Sequence, residues 1–198
     1  GFAVFKTAKF INTHIMCREV LAENIRQASP VSARMQGRIK SVQNTGAVEP
    51  VTRAEFAGLL VRAVGYIEDE YAASFTDVLP GQLYAGVVGA AFKAGLINGY
   101  EDGTFRPGDP VTREEMVVMA ARAVKALGFT AEVSDVDAAL AKFNDRRLIS
   151  EWAKEAVAAA TEAGMINGSE LGDFSPFDHA TRAEATLMVT RTLNYMRF

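Results

Sequence analysis

The chain repeats one four-residue phrase three times, and that recurrence limits the fold more than any other feature. Thr52-Arg53-Ala54-Glu55, Thr112-Arg113-Glu114-Glu115 and Thr181-Arg182-Ala183-Glu184 each open an apolar run with helical spacing. Their arginines lie 60 and 69 residues apart. Recurrence at this spacing marks a tandem array, in which each small unit buries its apolar face against the next.

Locally the phrase is a capping box. Threonine at the N-cap accepts from the N3 amide, and glutamate at N3 reaches back to the N-cap amide. The threonine contributes about 1 kcal/mol to its helix. Capping leaves the arginine unexplained. It stands at the first helical position, where the helix dipole disfavours a cation. Either a buried partner carboxylate or an anionic ligand must offset that cost.

The helix opened by Thr52 carries Phe56, Leu59, Leu60, Ala63 and Val64 at i, i+3, i+4, i+7 and i+8 and stops at Gly65. An acidic linker with Glu68, Asp69 and Glu70 follows. A second helix is predicted over Leu83–Ala94. Leu96–Tyr100 then runs extended, Glu101-Asp102-Gly103 turns the chain, and Thr104–Pro107 pairs back as a small hairpin. The helix after Thr112 presents Met116, Met119, Ala120, Ala123, Val124 and Leu127. A helical stretch is expected at Asp135–Lys142 and another at Trp152–Ala163. The last helix, after Thr181, presents Ala185, Met188, Val189, Leu193 and Met196.

The segments between the phrases also recur. Phe143-Asn144-Asp145 echoes Phe75-Thr76-Asp77, Ala163–Gly168 echoes Ala94–Gly99, and Phe174-Ser175-Pro176 echoes Phe105-Arg106-Pro107. With this template the opening of the chain reads as a degenerate copy. Lys9-Phe10-Ile11-Asn12 matches Lys142–Asp145, with Asn12 where the others have aspartate. Gly37–Ser41 matches Gly95–Gly99. Gly46–Pro50 matches Gly103–Pro107, with the short link to Thr52 deleted. The units are then 1–64, 65–127 and 128–198.

Composition narrows the function. Apolar residues are 49% and charged residues 23%, which is ordinary for a globular chain. A net charge of −3 argues against nucleic acid as a partner. No apolar run is long enough for a membrane span. The first residues lack the basic start of a signal peptide, which leaves a processed secreted chain or a piece of a larger protein. Cys17 is alone, so no internal disulfide forms, and His14 and His179 show no metal-ligand spacing. No catalytic Ser/His/Asp set, metal cluster or phosphate loop stands out, so neither an enzyme nor a cofactor is expected.

Gly95-Leu96-Ile97-Asn98-Gly99-Tyr100-Glu101-Asp102-Gly103-Thr104-Phe105-Arg106-Pro107, followed by Thr112-Arg113-Glu114-Glu115, resembles the signature of S-layer homology modules. The likeness is strong over about 70–198 and weak over 9–64. It implies a mainly α fold with very short strands. Three repeats would stand in a pseudo-threefold arrangement, with a central three-helix bundle and three helix-loop-helix prongs separated by grooves. It also implies a non-catalytic, monomeric anchoring module of a larger bacterial surface protein. Its partner would be a secondary cell wall polysaccharide bearing pyruvate ketals on N-acetylmannosamine.

On that resemblance Arg53, Arg113 and Arg182 would hold the ketal carboxylate, helped by the amides of the helix N-termini. Asp77 and Asp145 would accept from sugar hydroxyls or orient the arginine, against a local Asx turn as the plainer role. Trp152 would stack on a sugar or seal the core of its prong, and Leu83 holds the matching place one repeat earlier. Gly99 and Gly168 would let backbone approach ligand, or simply satisfy a turn. Tyr100 and its counterpart Ser169 complete the set. The alternatives are binding to peptidoglycan and a lattice-forming envelope module.

Overall fold

A computed structural model describes residues 47–66 and 75–196. The readings at 1–46 and at the acidic linker Glu68–Glu70 lie outside the described residues. Gly46–Phe198 form a unit of their own. The described elements are α1 (Arg53–Ala63), α2 (Ala85–Lys93), α3 (Arg113–Ala126), α4 (Val136–Leu140), a short 3-10 turn (Arg146–Leu148), α5 (Glu151–Glu162) and α6 (Arg182–Tyr195). The fold is mainly helical. Among the described residues, β structure is limited to isolated bridges. The expected hairpin is a tight turn, closed by Tyr100 N donating to Thr104 O at 2.8 Å.

All three phrases form complete capping boxes, at α1, α3 and α6. These three helices pack against one another pairwise, α2 packs on α1, and α5 packs on α3 and α4. The buried face of α1 is Phe56, Ala57, Leu60, Val61 and Val64. Leu59, expected on it, is 36% exposed, because the helix is buried along its Ala57–Val61 side instead.

The residue before each phrase joins the bundle at its head. Val51 N donates to Ala180 O, Val111 N to Val51 O and Ala180 N to Val111 O, at 2.9–3.0 Å, so the chain closes on itself in a cycle. All three residues are fully buried. The first two amides of each helix are used in the same cyclic sense. Arg53 N and Ala54 N donate to Asp109 O and Pro107 O, Arg113 N and Glu114 N to Asp178 O and Pro176 O, and Arg182 N and Ala183 N to Glu49 O and Ala47 O. With the N3 amide taken by threonine, the orphan donors that normally end a helix are engaged within the protein. The helix N-termini therefore do not supply free amides to a ligand.

This pattern also corrects the register of the first repeat. Pro50 bridges Thr181 as Pro110 bridges Thr52 and His179 bridges Thr112. Pro50 thus corresponds to Pro110, not to Pro107, and the link to Thr52 is not deleted.

Candidate functional site

The unexplained arginines meet carboxylates. Arg53 Nη1 pairs with Glu115 Oε1 at 2.8 Å, Arg113 Nη1 with Glu184 Oε1, and Arg182 Nη1 with Glu55 Oε1 at 2.8 Å. Each phrase's arginine reaches the glutamate of the next phrase, and the third returns to the first. Each glutamate divides its labour. Oε2 accepts from the threonine amide of its own helix, and Oε1 accepts the neighbour's arginine. The ring is graded in burial. Side-chain exposures are 6% and 14% for Arg53 and Glu115, 18% and 38% for Arg113 and Glu184, and 48% and 42% for Arg182 and Glu55.

Asp77 and Asp145 hold backbone, outside either groove described below. Asp77 accepts from Phe105 N and Arg106 N at 2.8 and 2.7 Å, and Asp145 accepts from Phe174 N and Ser175 N at the same distances. Arg106 and Ser175 have φ of 57° and 56°, a region that costs a side-chain-bearing residue roughly 1 kcal/mol. The aspartate holds that turn. It also fixes the carbonyl it brackets, since Arg53 Nε donates to Phe105 O and Arg113 Nε to Phe174 O, both at 2.8 Å. The aspartates thus act on the arginines through one peptide.

Two grooves gather the remaining candidates. The first, about 760 Å³, brings together Arg53, Gly99, Tyr100 and Trp152. The second, about 440 Å³, brings together Arg113, Gly168 and Ser169. Arg182 lines neither, and Leu83 is fully exposed away from both. Trp152 is 57% exposed at the start of α5, so it is not the core seal of its prong. Gly99 is required by packing, because a Cβ there would stand 2.6 Å from Thr104 O and strike the Phe75 ring.

Tyr100 is a wall of the first groove rather than a free hydroxyl. Its OH donates to Glu115 Oε1 at 2.6 Å, and the guanidinium groups of Arg53 (4.6 Å) and Arg106 (4.0 Å) both stand over its ring. Burial, and then the bond to Glu115, push its pKa up to about 12. Burial also raises the Glu115 carboxyl, but the bonds from Tyr100 and the Thr112 amide and the charge of Arg53 outweigh it and leave the pKa below the ordinary value. Ser169, in the matching place, instead turns into its own loop and accepts from Leu171 N and Asp173 N at 3.2 and 3.1 Å.

Sequence reasoning missed a second arginine. Nine positions after each phrase's arginine comes another, at Arg62, Arg122 and Arg191. Nine residues are two and a half helical turns, so the two arginines of one helix point to opposite sides. Arg113 of α3 lines the second groove while Arg122 of α3 lines the first, together with Arg53. Arg191 of α6 lines the second, together with Arg113. The fixed offset was the available signal. Arg122 meets no carboxylate among the described residues. In the amide orientation that lets the Asn98 side-chain nitrogen donate to Ile97 O at 2.9 Å, its oxygen accepts from Arg122 Nη2 at 3.1 Å. Desolvation, and then repulsion from Arg53, lower the Arg122 pKa. Of the groove's three arginines, Arg53 pairs with Glu115 and Arg106 with Asp102, which leaves Arg122 as the one whose charge an added anion would compensate.

Beyond the phrases, Glu114 is nearly fully buried and accepts from Ser150 N and Oγ at 3.0 and 2.8 Å, which fixes the start of α5 and hence Trp152. No group of His, Cys, Asp or Glu among the described residues is arranged to hold a metal. No helix among them is long and apolar enough to cross a membrane.

Several known proteins share this stretch of sequence. Exoglucanase XynX of Acetivibrio thermocellus is 41% identical over 140 residues, 70% of this chain and 12% of that protein. Amylopullulanase of Thermoanaerobacterium thermosulfurigenes is 39% identical over 140 residues, 70% of this chain and 7% of that protein. The surface layer protein of Brevibacillus choshinensis is 32% identical over 130 residues, 58% of this chain and 11% of that protein. The chain thus spans only a small part of these relatives. The S-layer homology domain profile matches residues 74–117 and 142–186, each match running from the Phe-x-Asp segment through the loop and the Thr-Arg-x-Glu phrase, and these two stretches belong to that family.

Proposed function

We propose that this chain is a non-catalytic anchor that holds a larger protein to the outside of a bacterial cell by binding an acidic secondary cell wall polysaccharide. Its relatives' names include two enzymes and a surface layer protein, yet the shared stretch is a small part of each. A common anchoring role fits that distribution better than any common chemistry. On this reading there are three modules, 1–64, 65–127 and 128–198, arranged about a pseudo-threefold axis.

The observation that carries the reading is Arg122 in the first groove. A carboxylate such as a pyruvate ketal on N-acetylmannosamine matches a guanidinium fork, which gives two charge-assisted hydrogen bonds. Arg53 already uses Nε on Phe105 O and Nη1 on Glu115. Arg122 uses Nη2 on a neutral amide. Arg122 therefore takes the carboxylate, Arg53 lines the same groove, and Tyr100 and Trp152 flank the sugar. In the second groove Arg113 is likewise engaged, by Phe174 O and Glu184, and Arg191 donates to Met165 O at 3.2 Å.

Sedimentation of the full chain with purified cell walls, before and after removal of the acidic polymer, tests the proposal. Binding should vanish with the polymer. Undiminished binding to the bare peptidoglycan would overturn it.

A further inference from the structure

A second hollow adjoins the first groove and shares a wall with it. It holds about 590 Å³, within the range of small-ligand sites, and lies between α3, α5 and the linker at 129–133. Val118, Arg122 and Trp152 border both spaces. Trp152 therefore stands as a partition that its own protein leaves 57% uncovered. Phe129 and Ala156 line the far side, and Lys125, Glu132 and Glu155 stand exposed around it. The linker is tied down by Tyr195 OH donating to Thr130 O at 3.0 Å.

Both linings balance in formal charge: Arg53, Arg106 and Arg122 stand with Glu101, Asp102 and Glu115 in the first groove, and Arg122 and Lys125 with Glu132 and Glu155 in the second. In the first, Arg53 holds Glu115 and Arg106 holds Asp102, whereas Glu132 and Glu155 make no ion pair among the described residues. Carboxylates that accept from hydroxyls, beside an aromatic and an aliphatic wall, suit a neutral sugar.

We infer that the hollow beyond Trp152 is a subsite for the next, neutral sugar unit of the polysaccharide whose acidic unit occupies the first groove. The inference rests on the glycan reading above. Trp152 then serves two consecutive units, and Glu155 and Lys125 bond hydroxyls of the second.

Calorimetry of the full chain tests it, with the acidic monosaccharide as a methyl glycoside and with two- and three-unit fragments of the wall polymer as probes. The fragments should bind about tenfold more tightly than the monosaccharide, a gain of about 1.4 kcal/mol. Glu155→Ala, and separately Ala156→Trp to fill the hollow, should abolish that gain and leave monosaccharide affinity unchanged. Fragments that bind no tighter than the monosaccharide would overturn the subsite alone, as would variants that weaken both probes equally. If neither probe binds the natural chain, the glycan reading itself fails and the subsite falls with it.

Discussion

The two grooves are assembled from corresponding parts and differ at three places. Each receives a phrase arginine from one bundle helix, a second arginine from the next helix, and a loop that begins Asn-Gly. The first groove has Tyr100 where the second has Ser169. It is also bordered by Trp152, and its second arginine meets a side-chain amide rather than a backbone carbonyl. Tyr100 completes a chain from Arg106 through its ring to Glu115 and Arg53, whereas Ser169 only closes its own turn. The same scaffold thus makes one groove walled by Tyr100 and Trp152, whose second arginine meets a neutral side-chain amide, and another that lacks both residues and whose second arginine meets a backbone carbonyl. The lesson is that the phrase builds the frame, while residues outside it set what each groove does.

Stability should break the comparison most visibly. Arg53→Ala leaves Glu115 and the Phe105 carbonyl partly buried without their partner and should cost about 3 kcal/mol. Arg113→Ala should cost less, and Arg182→Ala, at the half-exposed end of the ring, less than about 1 kcal/mol. Urea unfolding of the three variants reads the order directly, and equal losses would show that the graded burial is immaterial.

Gly99→Ala and Gly168→Ala separate the two loops next. At Gly99 the added carbon meets Thr104 O at 2.6 Å, whereas at Gly168 the nearest atoms stand at 3.2 Å. Overpacking should cost about 2–3 kcal/mol at the first and about 1 kcal/mol at the second, measured by thermal unfolding.

Binding should sharpen the contrast further. Arg122→Ala should weaken the acidic monosaccharide at least tenfold by calorimetry, the loss of a charge-assisted hydrogen bond of about 1.5 kcal/mol or more. Arg191→Ala should leave affinity unchanged.

The smallest effect concerns pH. Tyr100 titrates at about 12 when folded, above its ordinary 10, so the protein keeps its full contribution below pH 10 and loses it as pH rises from 10 to 12. Tyr100→Phe should remove this alkaline loss, as seen by comparing unfolding of the two chains across that range.

Much of this was legible in the chain because local chemistry is written locally. The capping boxes and the bundle helices follow from residues near one another in each repeat. The partner of each arginine was not legible, because a cyclic contact joins Arg53 to Glu115 and Arg182 back to Glu55 across more than sixty residues. Arg122 escaped notice because it sits half a turn round the helix from the phrase that drew attention. Trp152 gave no sign of exposure, since helical spacing alone cannot tell a core aromatic from one left uncovered beside a groove.

The central claim is that the first groove, through Arg122, reads the acid of the wall glycan. NMR titration of the arginine side-chain NεH signals of the full chain with the acidic monosaccharide tests it most directly. The Arg122 signal should shift with saturation while that of Arg191 stays in place. A shift at Arg191 with none at Arg122, or no shift at either while the sugar binds, would contradict the account.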